Sequence, residues 1–326
     1  MSNGRHEMTL AMRLEAPSFA PQATCWVCGG SELSRFHECR LDFREYACQD
    51  PELAGYSDRR VWLVRCRGCG FGQPEALPRL PRFFERMYDQ RWADEWVERE
   101  FEARYKDLIF RTILDELGRR VRPPAPLRLL DVGAHAGRFM SMARAVGWDV
   151  EGLEVNPKTA AYAQRRTGGL VHRVGIEAVA AEGPRYDALT LTDVLEHIPD
   201  PVRILTAAAR LLAPRGVVAV KVPSGPAQRR KEQVLSALDR ARPISLADNL
   251  VHVNHFSPHS LRLALEQAGF SDITIVPGAP ELRYDGTRVR CAASNALRLT
   301  LYAAARAAGV RSAAALNLQA YARRAG

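Results

Sequence analysis

The sequence predicts an α/β protein: a doubly wound, mostly parallel sheet preceded by a small cysteine-rich module. Three observations predict it. A short apolar strand runs into a glycine turn at Leu129-Leu130-Asp131-Val132-Gly133-Ala134-His135-Ala136-Gly137-Arg138-Phe139. Strand-like and helix-like segments alternate after that turn. Two Cys-x-x-Cys pairs, Cys25-Trp26-Val27-Cys28 and Cys66-Arg67-Gly68-Cys69, stand before it.

The chain has 326 residues, 47% apolar and 25% charged, which suits a soluble globular protein with a sizeable core. No apolar run reaches the length of a membrane span. Residues 1–20 lack the continuous apolar stretch of a signal peptide, so they read as a disordered tail and the protein as cytoplasmic. The net charge of +9 suits an acidic substrate or nucleic acid. Most of the basic residues are scattered, however, and the longest cluster is Arg229-Arg230-Lys231.

Residues 21–80 read as a zinc-binding module. Four thiolates in two x-x-spaced pairs suit one tetrahedral Zn²⁺, and a closed set of four makes the ion structural rather than catalytic. Cys25, Cys28, Cys66 and Cys69 are the expected ligands; disulfides are the alternative. His37, Cys39 and Cys48 lie between the pairs and read as packing residues, any one of which could replace a ligand. Cys291 reads as a buried apolar residue.

Residues 81–125 read as a helical linker or lid. From Phe83 to Leu117, Val97, Phe101, Tyr105, Leu108, Ile109 and Ile113 recur at helical spacing, with Trp92 and Trp96 as an aromatic patch. Arg122-Pro123-Pro124-Ala125-Pro126 then breaks the chain. Strands are predicted at 127–132, 149–154, 170–174, 187–192 and 216–222, with helices at 137–147, 157–167, 201–212 and 258–268. This alternation gives residues 126–326 a Rossmann-like sheet with its ligands at the strands' carboxyl ends. Two insertions interrupt it, at 224–250 and 281–312, both read as helical; 273–276 and 315–321 read as the last strands.

Glycines at the first turn let a ligand approach the backbone, and Glu154 at the next strand tip can accept both ribose hydroxyls of a nucleoside. Off the fourth strand run Thr192-Asp193-Val194-Leu195-Glu196-His197-Ile198-Pro199-Asp200-Pro201. In one helical turn Asp193, Glu196 and His197 share a face.

These segments resemble class I S-adenosylmethionine-dependent methyltransferases. The resemblance rests on LLDVGAHAGRF, VEGLEVNP, YDALTLTDVLEHIPDP, RLLAPRGVVAVKVPS and HVNHFSPHSLRLALEQAGF, and covers about residues 127–277. The cysteine pairs and the Trp-rich stretch resemble a bacterial subgroup with a zinc ribbon, often found in sugar or natural-product biosynthesis. The resemblance implies that Asp131, Gly133, Ala134 and Gly137 form the cofactor loop. It implies that Glu154 and Val155 meet the ribose, that Gly175 and Ile176 flank the adenine, and that Asp193 and Val194 border the methionine end. His135 stands where the family usually has glycine, at a position that needs an unusual backbone angle.

The expected activity is therefore O-methylation of a small molecule, a sugar nucleotide, glycan or secondary metabolite, with His197 as general base and Glu196 orienting it. Two alternatives stand beside it. One is an RNA-modifying methyltransferase with a divalent ion at Asp193, Glu196 and His197, where His252 or His255 supplies a further ligand. The other is a non-catalytic cofactor- or zinc-binding assembly module. The oligomeric state is open.

Overall fold

The computed structural model describes residues 16–89, 94–121, 127–181, 183, 186–238 and 248–325. The Arg122–Pro126 linker, Trp92, residues 1–15 of the tail and residues 239–247 of the first insertion lie outside the described residues.

The cysteine module contains β1 (Phe19–Pro21), β2 (Leu33–Arg40), α1 (Pro51–Ala54), β3 (Arg60–Cys66), β4 (Gly72–Pro74) and β5 (Ala76–Pro78). Strands β2, β3 and β4 form an antiparallel sheet, and β1 pairs with β5. Phe19–Pro21, read from sequence partly as tail, is thereby paired at Phe19↔Pro78 and Ala20↔Leu77.

The stretch predicted as one helical run is three helices: α2 (Phe83–Asp89), α3 (Asp94–Glu102) and α4 (Asp107–Arg120). Arg104 adopts φ +56°, a left-handed angle that ends α3 and lets α4 start in a new direction. The apolar period of α4 buries Ile109, Phe110, Ile113, Leu114 and Leu117 against the sheet's first helix.

The large unit runs β6 (Arg128–Val132), α5 (Arg138–Ala145), β7 (Asp149–Leu153), α6 (Pro157–Thr167), β8 (Val171–His172), α7 (Ile176–Ala180) and β9 (Tyr186–Thr192). It continues with α8 (Pro201–Leu211), β10 (Leu212–Pro223), α9 (Gly225–Leu238), α10 (Pro258–Gln267), β11 (Phe270–Pro277), α11 (Arg288–Ala308) and β12 (Asn317–Arg324). Caps set several boundaries. Asp200 accepts from Arg203 N–H with Pro201 at the first helical position, and Ser257 and Ser260 form a reciprocal cap on α10.

The seven strands lie in the order β11-β12-β10-β9-β6-β7-β8, and β12 is antiparallel to both neighbours. The chain winds from β6 outward through β7 to β8, then returns to the other side of β6 as β9. The strand order reverses at the β6–β9 pair, so a crevice opens at their carboxyl ends. The glycine turn follows β6 and the Asp193–His197 turn follows β9, which sets the two predicted motifs side by side.

The cysteine module shares this core. Cys25, Val27, Cys66, Cys69 and Phe71 belong to one buried cluster with Leu195, Val222, Phe256 and Leu318. Phe71 and Phe256 pack with ring centroids 5.1 Å apart.

Candidate active site

The glycine loop is held by its neighbour strand. Gly133 N–H and Ala134 N–H both donate to Leu153 O, at 2.8 and 2.9 Å. Gly133 has φ +72°, and a Cβ there would stand 2.5 Å from Val194 Cγ2. This close approach couples the loop to the turn after β9. Gly137, at φ +84°, starts α5 against Ala163 and Thr167. His135 does take the left-handed angle expected of its position, φ +49°. Its N–H donates to Glu154 Oε2 at 2.8 Å, while Asn156 N–H donates to Oε1 at 2.9 Å. Burial raises the Glu154 carboxyl, and these two N–H groups oppose that rise.

Trp96 of α3 stands edge-on to the His135 ring at 5.3 Å. Burial, then the charge of Lys106, pushes His135 down to about 4, so its imidazole is neutral. At the end of α2, Asp89 lies 3.5 Å from Asn156 Nδ2, and Tyr88 reaches His197. The segment read as a lid thus touches both sides of the crevice mouth.

Asp131 lies deeper than a loop residue. It is buried beneath the turn and accepts the Thr190 hydroxyl at 2.7 Å; burial pushes its carboxyl up to about 7. This hydrogen bond ties β6 to β9 inside the sheet. Val155 is exposed at the tip beyond Glu154. Gly175 is the exposed N-cap of α7, and Ile176 is buried in the core beneath it.

The turn after β9 brings together residues from several distant segments. Asp193, at φ +56°, is held between two lysines: Lys221 Nζ of β10 on Oδ1, and Lys106 Nζ on Oδ2 at 2.9 Å. Burial pushes the Asp193 carboxyl up, but both ammonium groups outweigh it and hold it well below the usual carboxylate range. Glu196 is 1% exposed, and its Oε2 is buried with no hydrogen-bond partner among the described residues. Burial, then the Asp193 charge, pushes Glu196 well above the usual carboxylate range.

His197 Nδ1 lies 2.6 Å from Val251 O and 2.7 Å from Tyr88 Oη. A carbonyl only accepts, so Nδ1 carries the proton and the ring's lone pair is on Nε2. Val251 and Tyr88 hold this nitrogen of the ring, where the sequence had suggested Glu196 as the orienting group. The His252 ring is 4.8 Å from that of His197, with Gln228 Nε2 3.3 Å from its Nδ1. Burial drives His252 down to about 2. A carboxylate oxygen of Glu196 and a ring nitrogen from each of His197 and His252 lie within 4.8 Å of one another. Asp193 is committed to the lysines, and His255 turns away to meet Phe36 edge-on at 5.9 Å.

The strap 251–256 carries these histidines. Val253 N–H and Asn254 N–H donate to Glu196 O, and Asn254 Nδ2 donates to Leu195 O and Ile198 O. On the strap's far side, Gly72 and His255 exchange two backbone hydrogen bonds, of 3.1 and 2.9 Å. The cysteine module thereby pins the segment that orients His197.

Beyond it the four cysteine sulfurs converge within 4.8 Å of one another; Cys25 and Cys69 are 3.6 Å apart, and Cys28 and Cys66 are 3.3 Å apart. A disulfide bond is about 2.0 Å, whereas four sulfurs about 2.3 Å from one Zn²⁺ stand about 3.8 Å apart. The donor set therefore fits zinc. Gly30 and Gly68 leave room beside the sulfurs, and Gly29 and Gly70 take the positive φ that turns each knuckle. Cys39 is buried in another cluster and Cys48 is exposed, so neither joins the four. Cys291 is only half-buried, and its thiol donates to Asp285 O at 3.1 Å.

Sequence reasoning passed over Lys106, Lys221, Tyr88, Val251 and Gln228. Lys221 left a signal, a lone charge in the apolar strand Val217-Val218-Ala219-Val220-Lys221-Val222. The others gave none.

Residues 101–275, more than half of the chain, match the methyltransferase domain family. The chain is 33% identical over 120 residues to a ubiquinone biosynthesis O-methyltransferase of Cereibacter sphaeroides, covering 34% of this chain and 49% of that protein. A protein of the same name from Paracidovorax citrulli is 36% identical over 104 residues, covering 29% and 44%. The chain thus spans about half the length of the curated relatives it matches. An S-adenosylmethionine-dependent methyltransferase structure from Mesorhizobium loti matches at 18% identity and TM-score 0.47, covering 68% of this chain and 100% of that one. With the family match over residues 101–275 and a seven-stranded sheet that reverses at a glycine loop, the chain belongs to the class I S-adenosylmethionine-dependent methyltransferases.

Proposed function

We propose that the protein methylates an oxygen of a small acceptor, a sugar nucleotide, glycan or secondary metabolite, with His197 as general base. The observation that carries this reading is the His197 Nδ1–Val251 O contact of 2.6 Å, which leaves the basic lone pair on Nε2 at the switch-point crevice. The O-methyltransferase names of the curated relatives support attack by oxygen.

S-adenosylmethionine supplies an activated methyl on sulfur. The glycine cradle fits such a donor: Gly133 and Gly137 leave no room for side chains, and Glu154 is anchored at the adjoining strand tip. In the proposed arrangement Gly133, Ala134 and Gly137 line the donor, with Asp131 supporting them from inside. Glu154 and Val155 meet the ribose, Gly175 and Ile176 the adenine, and Asp193 and Val194 the methionine end. The acceptor hydroxyl gives its proton to His197 Nε2 as its oxygen bonds the methyl carbon. Bound S-adenosylmethionine would supply the methyl, its carbon–sulfur bond being the one broken and S-adenosylhomocysteine the leaving group. Val251 O then stabilises the imidazolium through Nδ1–H, and α2 and α3 exclude water from the mouth.

A second reading has its own observation. The orphaned Glu196 Oε2, with His197 and His252 beside it, suits a divalent cation that would orient a diol and lower its pKa. Glu196, His197 and His252 would hold it, and Asp193 would not. The remaining proposals are architectural: residues 21–80 as a zinc module on Cys25, Cys28, Cys66 and Cys69, residues 81–125 as a lid, and residues 126–326 as the transferase unit. Unpaired thiols fit a reducing cytoplasmic setting; no helix among the described residues is long and apolar enough to cross a membrane.

One experiment tests both readings. Methyl transfer to candidate hydroxyl acceptors is measured with His197→Ala and Glu196→Gln, with and without a chelator that leaves the zinc in place. Under the base reading, His197→Ala abolishes transfer and the chelator does nothing. If the chelator abolishes transfer and Mg²⁺ or Mn²⁺ restores it, the second reading replaces the first. Full activity in His197→Ala ends both.

A further inference from the structure

Arg65 of β3 and Arg229 of α9, far apart in sequence, lie against the same aromatic ring. Their guanidinium carbons are 5.0 and 5.4 Å from the centroid of Phe36. Both side chains are half-buried, and among the described residues neither meets a carboxylate. The neighbouring arginines of the same sheet are neutralised: Arg35 by Glu75 at 2.7 Å and Arg60 by Glu38 at 2.8 Å. His255 meets the Phe36 ring edge-on, and its Nε2 is buried without a hydrogen-bond partner among the described residues. Gly72 makes this packing possible, because a Cβ there would stand 3.0 Å from His255 Cβ and 3.3 Å from the ring.

Two like charges drawn half out of water onto one ring repel each other. The ring face compensates only in part. A bound anion would satisfy both, and the planar forks of two guanidinium groups match the oxygens of a phosphate. Arg230 and Lys231 follow on α9, both exposed, and add to the positive potential. The Arg35–Glu75 and Arg60–Glu38 pairs interrupt that potential along the sheet, so the surface suits a compact anion rather than a long polyanion.

We propose that Arg65 and Arg229, stacked on Phe36, form a binding site for the phosphate or diphosphate group of a small ligand. The site is separate from the donor crevice. The strap presents His252 to the turn after β9 and His255 to the Phe36 ring that carries the arginine pair, so the two sites lie on either side of one strap.

The test is calorimetric titration of the full-length, zinc-loaded protein with inorganic pyrophosphate and with uridine diphosphate. Saturable binding that weakens with salt is expected for both. Arg65→Gln and Arg229→Gln should each weaken it about tenfold or more, the loss of a charge-assisted contact. Arg229→Lys, which keeps charge without the fork, should fall between. Zinc content and S-adenosylhomocysteine affinity should stay unchanged in all variants, which shows that the fold is intact. Equal affinities would mean that phosphate alone is read; tighter uridine diphosphate would mean a nucleotide. The proposal is overturned if neither probe binds saturably, or if the double glutamine variant binds as the wild type does. Binding confined to single-stranded RNA or to phosphatidylglycerol vesicles overturns it as well.

Discussion

The cysteine knuckles and the glycine loop solve the same problem, holding irregular backbone in one place, by opposite means. The glycine loop is tied by backbone: Leu153 O takes two N–H groups and Glu154 takes two more. Its side chains matter mainly by being absent. The knuckles are tied by side chains, four sulfurs within 4.8 Å and a shared apolar cluster. A loop that must admit a ligand cannot fill its own space, so its support comes from the strand beside it. A module with little core of its own can close around an ion and borrow the core of its neighbour. The two regions meet through the strap 251–256, which the knuckle side grips at Gly72 and the turn after β9 grips at Glu196.

The strongest way to break this comparison is to remove a knuckle sulfur. If the four sulfurs hold zinc as proposed, Cys66→Ser should release it and cost about 3 kcal/mol or more, read as lost zinc and a lower unfolding midpoint. An unchanged midpoint would mean that the sulfurs support nothing. Next comes Gly133→Ala. Its positive φ and the 2.5 Å approach to Val194 predict about 2–3 kcal/mol of destabilisation and weakened S-adenosylhomocysteine binding by calorimetry. Retained affinity would show that the loop tolerates a filled position.

Lys221→Met should cost about 2 kcal/mol in urea unfolding, because it leaves Asp193 buried with Lys106 alone. Asp131 gives a pH signature. Its carboxyl is raised by burial to about 7, so its contribution to stability is full below its unfolded pKa and is lost as pH rises through about 7. Asp131→Asn keeps the Thr190 contact and should flatten the fall in stability from about pH 4 to 7. An identical slope in both proteins would remove Asp131 as its source. The smallest effect is expected from Tyr88→Phe: under about 1 kcal/mol of stability and a few-fold lower kcat, with a shifted pH–rate profile, since Val251 still holds His197 Nδ1. An unmoved profile would leave Tyr88 no part in setting the ring.

Much of the sheet was legible because buried parallel strands read as short apolar runs ending in turns. Strand β7 at Asp149–Leu153 and helix α6 at Pro157–Thr167 lie within a residue of expectation. The convergence of the four sulfurs was legible because Cys-x-x-Cys spacing is local. The break between α3 and α4 was not, since a single left-handed Arg104 interrupts an otherwise helical period. The placing of β12 between β10 and β11 was equally hidden, since pairing partners carry no mark in the strand itself. The turn after β9 was half legible. Glu196 and His197 announced themselves, while the groups that orient and charge them come from residues 88, 106, 221 and 251.

Local chemistry alone determined which residues turn, which strands are apolar and which sulfurs can share an ion, because steric limits and spacing act over a few positions. Only the folded chain decided the rest: that Asp193 is neutralised by two lysines, that Asp131 faces inward, and that Val251 sets the tautomer of His197. Those outcomes depend on burial and on contacts between distant segments, and both exist only once the core has closed.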